Sequence, residues 1–443
     1  MDKLFPYRGV HYNKSKIGNL SDLVTQPYDK ITPEMQEIYY QKSPYNIVRL
    51  ILGKKEENDT ETYNQYTRAK EYLVRWINEG ILIRDPEPSF YASYQQFELN
   101  GKKYTRKGFV CLLSLEEASA YVKAHERTLA GPKADRLNLM RATSSQFEHI
   151  FMLYPDPTGK TIDILDSFLQ AKKPDYEAID EYKVNHYLWQ IKEPKIITEL
   201  KQTVEKETFF IADGHHRFET SINYMKEMLP YIHEFESPES PKFRQVTFIP
   251  IEQEGLIILP THRVIHSIKD FNKEKLLENL RKYCTIEEFP STIGKKIIEE
   301  LDKRKNKHVF GLFISGDPLC YILTLKSDDY VNELVTNDHS NVWKSLDVTI
   351  LHGFLEKFLG IDAKTLEAYT NVKYIREPEE GFEMMLKDPS VQAIFFLNPT
   401  KVDEVKQVAL AGERMPQKST DFYPKLITGL VMNIMRRKTW WAF

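Results

Sequence analysis

The stretch FFIADGHHRFET, Phe209 to Thr220, places His215, His216 and Arg217 side by side behind an Asp213–Gly214 turn. The apolar run Phe209–Ala212 reads as a short buried strand, and a helix is expected to follow. A helix start carries a partial positive charge and backbone N–H groups without intrahelical partners. Cationic side chains are disfavoured there, by roughly a few tenths of a kcal/mol each. The arrangement makes sense if an anion sits at that helix end. Dipole, amides, imidazoles and guanidinium would then converge on one phosphate. Gly214 would give the backbone room to approach it. Asp213 could cap the helix, fix a histidine tautomer, accept a proton or bind a metal.

Two other readings compete. Asp213 could cap while the histidines bond locally and Arg217 stays a surface charge. A histidine-ligated metal is the other. Adjacent helical histidines point roughly 100° apart, so both reaching one ion is awkward.

A second cluster, AHERTLAGPKADR, crowds His125, Glu126, Arg127, Thr128, Lys133, Asp135 and Arg136 into twelve positions. Lys133 and Arg136 are three apart and share a helix face. A third segment, GERMPQKSTDFYPK, fails as a Walker loop because Gln417 stands where a second glycine is needed. It still offers Lys418, Ser419, Thr420 and Lys425 as phosphate-compatible donors. PTHRVI repeats a His–Arg pair at His262 and Arg263. No GxSxG, HExxH or GxGxxG pattern is present, which argues against serine hydrolase, zincin and dinucleotide enzyme.

The elements that must position these residues follow from periodicity. Tyr66, Ala69, Leu73, Trp76 and Ile77 fall at helical spacing, closed by Gly80. Asn100–Gly101 turns a hairpin. Pro132 sits in a first helical turn. Phe218, Ile222, Met225 and Leu229 lie on one helix face. SLDVTILHGFLEKFLG reads as an amphipathic helix, VQAIFFLNP as a buried strand and VDEVKQVALAG as a helix closed by Gly412. The segment YPDPTGKTID suggests a boundary.

The 443 residues exceed one ordinary domain. Three parts are expected: 1–155, an N-terminal α+β domain; 156–270, the phosphate-binding core; and 271–443, a C-terminal α/β domain carrying Lys418–Thr420. The net charge of -3 gives no basic field for nucleic acid. Cys111, Cys284 and Cys320 are too dispersed for a zinc site or a disulfide scaffold. The opening MDKLFPYRGVHYNKSKIG lacks an apolar signal core and no apolar run is long enough to span a bilayer, so a cytoplasmic protein without membrane contact is expected. The tail MRRKTWWAF is basic and aromatic, which could suggest membrane contact, but it is too short for an amphipathic anchor and is read as a packed or frayed terminus.

The blocks QPYDKI, SPYNIVRL, HERTLAGPKADRLNLMRATSSQFEHIFMLY, ADGHHRFETS, THRVI, SLDVTILH and MPQKSTDFYPKLITGL resemble the signatures of a bacterial and archaeal family, domain of unknown function one thousand and fifteen. They run from about Gln26 to Leu430, with Asp421 standing where an aromatic or small residue is usual. DGHHR opening a helix is also similar to the phosphate-binding box of the ParB and sulfiredoxin superfamily, which holds nucleotide-binding partition proteins, sulfiredoxins and free-serine kinases. The sulfiredoxin box carries a cysteine where His215 stands. This resemblance implies an α+β fold of mixed sheets with flanking helices and a ParB/sulfiredoxin-like core around the turn.

The most concrete activity it implies is a free L-serine kinase using a nucleotide or pyrophosphate, with Mg²⁺ bridging the phosphates. Its partners would be a small hydroxyl substrate and a phosphate donor. Asp213, Glu126, Asp29 and His216 are then the candidates for proton transfer, with Asp213 also a metal ligand. His125, Arg127, Thr128, Lys133, Arg136, Gly214, His215, Arg217, His262, Arg263, Lys418, Ser419, Thr420 and Lys425 are candidates for phosphate binding. The alternative is a ParB-like nucleotide-binding regulator without turnover.

Overall fold

The structure, a computed structural model, describes residues 2–124, 130–368, 370–416 and 418–438, with only the backbone at 130, 132 and 367. The fold is α+β, as expected. The chain divides into two compact units. The first comprises the chain as far as Ala124, the stretch that ends at Ile257 and the return from Pro424, and the second comprises Ile258–Tyr423.

The first unit is built on a nine-stranded mixed sheet. Its order is Val122–Lys123, Phe209–Asp213, Ile150–Tyr154, Phe243–Pro250, Lys102–Ser114, Phe90–Leu99, Asn185–Ile191 and Tyr176–Ile179, with Leu4–Phe5 paired to Lys102–Ser114. Phe209–Asp213 runs parallel to Val122–Lys123 and antiparallel to Ile150–Tyr154. Phe209, Phe210, Ile211 and Ala212 are all buried. A strand covered on both faces has no polar face to show, which is why its sequence is a continuous apolar run. The hairpin at Asn100–Gly101 forms as expected, both residues in the left-handed region at φ 51 and 76.

Helix Gln65–Asn78 starts with a reciprocal Asn64–Thr67 cap and buries Ala69, Leu73 and Trp76. The DGHHR helix spans His215–Met228 and ends sooner than its apolar pattern predicts. Phe218, Ile222 and Met225 pack on the sheet, whereas Leu229 begins a 3₁₀ turn and is 47% exposed. Pro230 explains the early end: it has no N–H to continue the ladder.

The three-part expectation does not describe this molecule. The boundary at 155/156 would cut strand Ile150–Tyr154 away from its neighbours Phe209–Asp213 and Phe243–Pro250. YPDPTGKTID is a turn within one unit, leading into helix Lys160–Leu169. The division comes instead near Ile257, and the chain re-enters the first unit at Pro424. Local turn signals carry no trace of such a return. The tail packs as far as it is described: Arg436 pairs with Glu236 and Arg437 with Glu234.

The second unit holds a six-stranded sheet ordered Cys284–Pro290, Leu319–Leu325, Val309–Ile314, Val391–Leu397, His262–His266 and Val372–Ile375. Every pairing in it is antiparallel. It is therefore α+β and not the α/β arrangement that alternating strands and helices suggested. The amphipathic helix forms at Asp347–Leu359 and the one closed by Gly412 at Val402–Leu410. All three cysteines are buried free thiols. Among the described residues no helix is long and apolar enough to cross a membrane.

The central strands of the first unit leave no space for added atoms. A Cβ on Gly108 would stand 2.2 Å from the Phe248 carbonyl oxygen. Gly108→Ala is expected to destabilise by about 1–3 kcal/mol, as overpacking of a filled site does. Urea unfolding should show a lower midpoint with an unchanged slope.

Candidate functional site

Strand Phe209–Asp213 loses regular register between Ile211 and Asp213. Such an irregularity re-aims the next side chain. Gly214 follows at φ 93, in the left-handed region. A Cβ there would press on Ile150 and the Arg217 guanidinium at 3.1 and 3.2 Å. Only glycine meets both demands. The helix therefore starts with no side-chain cap and no acidic residue in its first turn.

Asp213 does not cap that helix. Its Oδ2 accepts from Arg217 Nη2 at 2.6 Å and its Oδ1 from Lys425 Nζ at 3.2 Å. Burial alone would raise its pKa, but the charges of Lys425, Arg217 and Lys30 outweigh that and hold it well below the usual carboxylate range. A carboxylate so held is a poor proton acceptor, which speaks against Asp213 as the base. Both oxygens already serve cations. Among the described residues no three metal-ligating side chains gather. Asp213 thus stands here as an electrostatic anchor rather than as an open ligand or base.

Arg217 is also more deeply set than a surface contact. Its Nη1 donates to the His149 carbonyl at 2.6 Å and lies 3.9 Å from Glu148. Burial opposes its charge, yet Glu148, Asp213 and Asp29 keep its pKa above the ordinary arginine value. Truncating Arg217 would remove one of the two cations that answer Asp213 and one of the two that answer Glu148, so it supports the fold as well as the site. His215 is buried. His216 is half-buried, and burial lowers its pKa against the opposing charges of Asp29 and Glu219.

The second cluster reaches the same place. Lys133, on helix Ala130–Thr143, pairs with Glu219 Oε2 at 3.1 Å, two residues beyond Arg217. Arg136 is buried, donates to the Ile51 carbonyl at 2.7 Å and to Asp135, and lies 3.6 Å from Glu148. Its guanidinium stacks over Tyr28 at 4.0 Å. Arg136 is thus a packed internal cation that orders the Tyr28–Lys30 turn, not an open phosphate donor. That turn, from the QPYDKI block, carries exposed Asp29 and half-buried Lys30. His125, Glu126, Arg127 and Thr128 lie outside the described residues.

The third segment divides. Lys425 belongs to the first unit and joins Asp213. Lys418, Ser419 and Thr420 belong to the second. There the Ser419 hydroxyl donates to the Pro416 carbonyl at 2.5 Å, and Lys418 takes a left-handed φ of 56 while its carbonyl accepts from Arg263 at 3.2 Å. Ser419 is thereby committed locally. His262 and Arg263 are withdrawn as phosphate ligands. Both are buried in strand His262–His266 of the second unit. Burial pushes His262 down to about 3 and Arg263 down to about 10. A guanidinium at 0% exposure is closed to a ligand from solvent.

Sequence reasoning assigned no role to several groups that build the site. Glu148 sits between Arg136 and Arg217 and accepts the Tyr28 N–H at 2.9 Å. Arg106 donates to Gln95 Oε1 and the Pro424 carbonyl, and Gln95 donates to the Lys425 carbonyl at 2.8 Å. These bonds seat the returning chain so that Lys425 reaches Asp213. Burial lowers both Arg106 and Arg244 to about 9. Arg244 donates to the Glu148 carbonyl, and its Nε has no partner. Alternation in the strands carrying Arg106 and Arg244 was the available signal: a charged residue on a buried face needs a purpose.

Comparison with known proteins gives one family. The model described as "Protein of unknown function (DUF1015)" matches residues 4–349. No curated protein matches. Among solved structures, a free serine kinase variant in complex with AMP is similar at 11% identity over 72% of this chain and 92% of that one, with a TM-score of 0.35. A conserved hypothetical protein from Pyrococcus furiosus is similar at 12% identity over 72% and 95%, with a TM-score of 0.33. SbnI with a C-terminal truncation, from Staphylococcus aureus, is similar at 11% identity over 73% and 87%, also at 0.33.

The neighbour of Arg217, His149, supplies a pH test. Its Nδ1 accepts from Thr247 Oγ1 at 2.7 Å and its Nε2–H donates to the Val431 carbonyl at 2.8 Å. Burial pushes it down to about 4 from 6.5. Between those values the unfolded chain binds a proton that the folded one refuses, so stability is full above pH 6.5 and falls as pH drops toward 4. The expected loss across that window is about 3 kcal/mol. Urea midpoints taken at half-unit intervals should show it. A flat profile would contradict a neutral buried His149.

Proposed function

The chain belongs to the DUF1015 family of proteins of unknown function, and from that premise we propose that it is a small-molecule phosphotransferase that seats a phosphate group at the Asp213–Arg217 turn. The observation that carries this is the uncapped, acid-free first turn of helix His215–Met228, set beside Lys30, Lys133, Arg217 and Lys425. Phosphoryl transfer needs positioning and charge neutralisation more than covalent chemistry, and this turn offers both. The acceptor we propose is a small hydroxyl compound, free L-serine first, and the donor pyrophosphate or a nucleotide, with the donor bringing Mg²⁺. The resemblance of DGHHR to the box of free-serine kinases supports that choice of acceptor.

Roles follow from burial. Arg217 and Lys425 fix Asp213 and lend their field to the turn. His216, Lys30 and Lys133 are the less buried groups able to meet the phosphates. Asp29 is exposed, and its charge acts on both His216 and Arg217. It is the described carboxylate best placed to accept a hydroxyl proton, since an exposed group can face a substrate while Asp213 cannot yield its cations.

One observation favours a second reading. Asp213, the carboxylate at the turn, is committed to two cations and is not available as a base. A nucleotide-binding regulator without turnover needs neither base nor metal.

The two readings part on one experiment. The protein is incubated with L-serine and Mg²⁺ plus pyrophosphate, ADP or ATP, and phosphorus NMR follows any new phosphomonoester. The kinase reading expects O-phosphoserine with at least one donor, and expects Asp29→Asn to lose turnover while still binding it. Lys133→Ala should weaken donor binding by roughly ten- to a hundred-fold, the worth of a charge-assisted contact, with little change in Tm. Donor binding without any product would establish the regulator instead.

A further inference from the structure

The block SLDVTILH, Ser345–His352, has no part in the site above. It opens helix Asp347–Leu359 in the second unit. Beside that helix lies a cavity of about 650 Å³, walled by Leu334, Trp343, Leu366 and Met415 among others, into which Thr349 and His352 contribute. That volume falls within the range of small-molecule sites, roughly 300–1,000 Å³.

Three features make this cavity a built site. Thr349 is 2% exposed and its hydroxyl has no hydrogen-bond partner. A hydroxyl buried without a partner destabilises the fold, and valine would fill the same space without that cost. His352 lies three residues on, on the same helix face. Arg263 Nη2 stands 3.3 Å from His352 Nε2. A guanidinium can only donate, so Nε2 accepts and the ring proton is on Nδ1. No protein acceptor for that Nδ1–H is found among the described residues. The third feature is aromatic. Trp343 stacks on His339 with centroids 4.0 Å apart and planes 20° apart. Trp343 Nε1 is tied to the Arg414 carbonyl at 2.8 Å and His339 to Glu413 at 3.0 Å, so the pair is held in place.

Chemistry selects the ligand class. The more deeply set groups that face it, a hydroxyl and an imidazole N–H, are neutral, and the charged groups of the lining, Glu333 and Glu356 against Lys357 and Arg414, are exposed and balance two against two. The lysine in the lining, Lys357, already serves Tyr283 and the Glu333 carbonyl. With the charges of the lining balanced, an uncharged ligand that carries an acceptor meets these donors without burying an unpaired charge, and an aromatic stack is extended by a flat ring. We propose that this cavity binds an uncharged planar nitrogen heterocycle of nucleobase size, read by Thr349 and His352 and flanked by Trp343. The wall is close-packed: a Cβ on Gly353 would stand 2.9 Å from the carbonyl oxygen of Leu334, the last residue of helix Asp329–Leu334.

The test uses the full chain and four probes, adenine, cytosine, uracil and nicotinamide, with indole as a flat control that offers no neutral acceptor. At least one probe is expected to bind saturably by calorimetry and to change tryptophan fluorescence, with the fluorescence change absent in Trp343→Phe. Indole should bind more weakly. Thr349→Val is expected to weaken the probe by roughly tenfold or more while Tm stays equal or rises, and Thr349→Ser to restore binding. Failure of all four probes to bind would overturn the proposal. So would binding that leaves Trp343 fluorescence unchanged, or binding equal in wild type, T349V and T349S.

Discussion

The first unit depends on one carboxylate. Asp213 takes Arg217 on one oxygen and Lys425 on the other. Through these two bonds it joins the end of a buried strand, the first turn of a helix and a chain segment 212 residues away. Each partner is desolvated, so the pair is worth keeping only because every charge is answered. Gln95 and Arg106 hold the returning backbone, Glu148 holds Arg217 and the Tyr28 turn, and the irregular register before Asp213 aims the carboxylate. The cationic turn is what remains when the inner charges have been matched.

That view alters what the cationic residues mean. In sequence they look like one set of phosphate donors. In the fold they form two layers. Arg136, Arg217, Arg244 and Lys425 are buried and committed to carbonyls and carboxylates. Lys30, Lys133 and His216 lie nearer solvent. The inner layer, matched by Asp213, Glu148 and Asp135, holds its charges in a region of low dielectric, where they are screened least. The outer layer can touch a ligand. A ligand phosphate would meet the outer layer and feel the inner one.

The legible parts of this molecule were those governed by local chemistry. The apolar run Phe209–Ala212, the Asn100–Gly101 hairpin and the Gln65–Asn78 helix each follow from period and turn residues. The Asp213–Gly214 turn was found because cations at a helix start contradict the dipole. What could not be read were the long-range bonds. No local pattern says that Lys425 returns to Asp213, or that Gln95 and Arg106 hold it there. His262 and Arg263 show the reverse error: a His–Arg pair after a strand looks like a site, but burial makes it core. Glu148 lies within the block that ends FEHIFMLY, yet a lone glutamate in an apolar segment gives no hint of which cations it will meet.

The central claim is that a phosphate group is bound by the start of helix His215–Met228. Backbone and ring nitrogens of selectively ¹⁵N-labelled histidine report on this most directly. The chain has 12 histidines, and His216→Gln with His215→Gln identifies the two signals. On titration with pyrophosphate, the account predicts saturable shifts of the His215 and His216 amide signals to higher proton frequency, as amides donating to an anion show, with His262 and His352 of the second unit unmoved. Unshifted His215 and His216 amides in protein that demonstrably binds pyrophosphate would place the phosphate elsewhere and contradict the account.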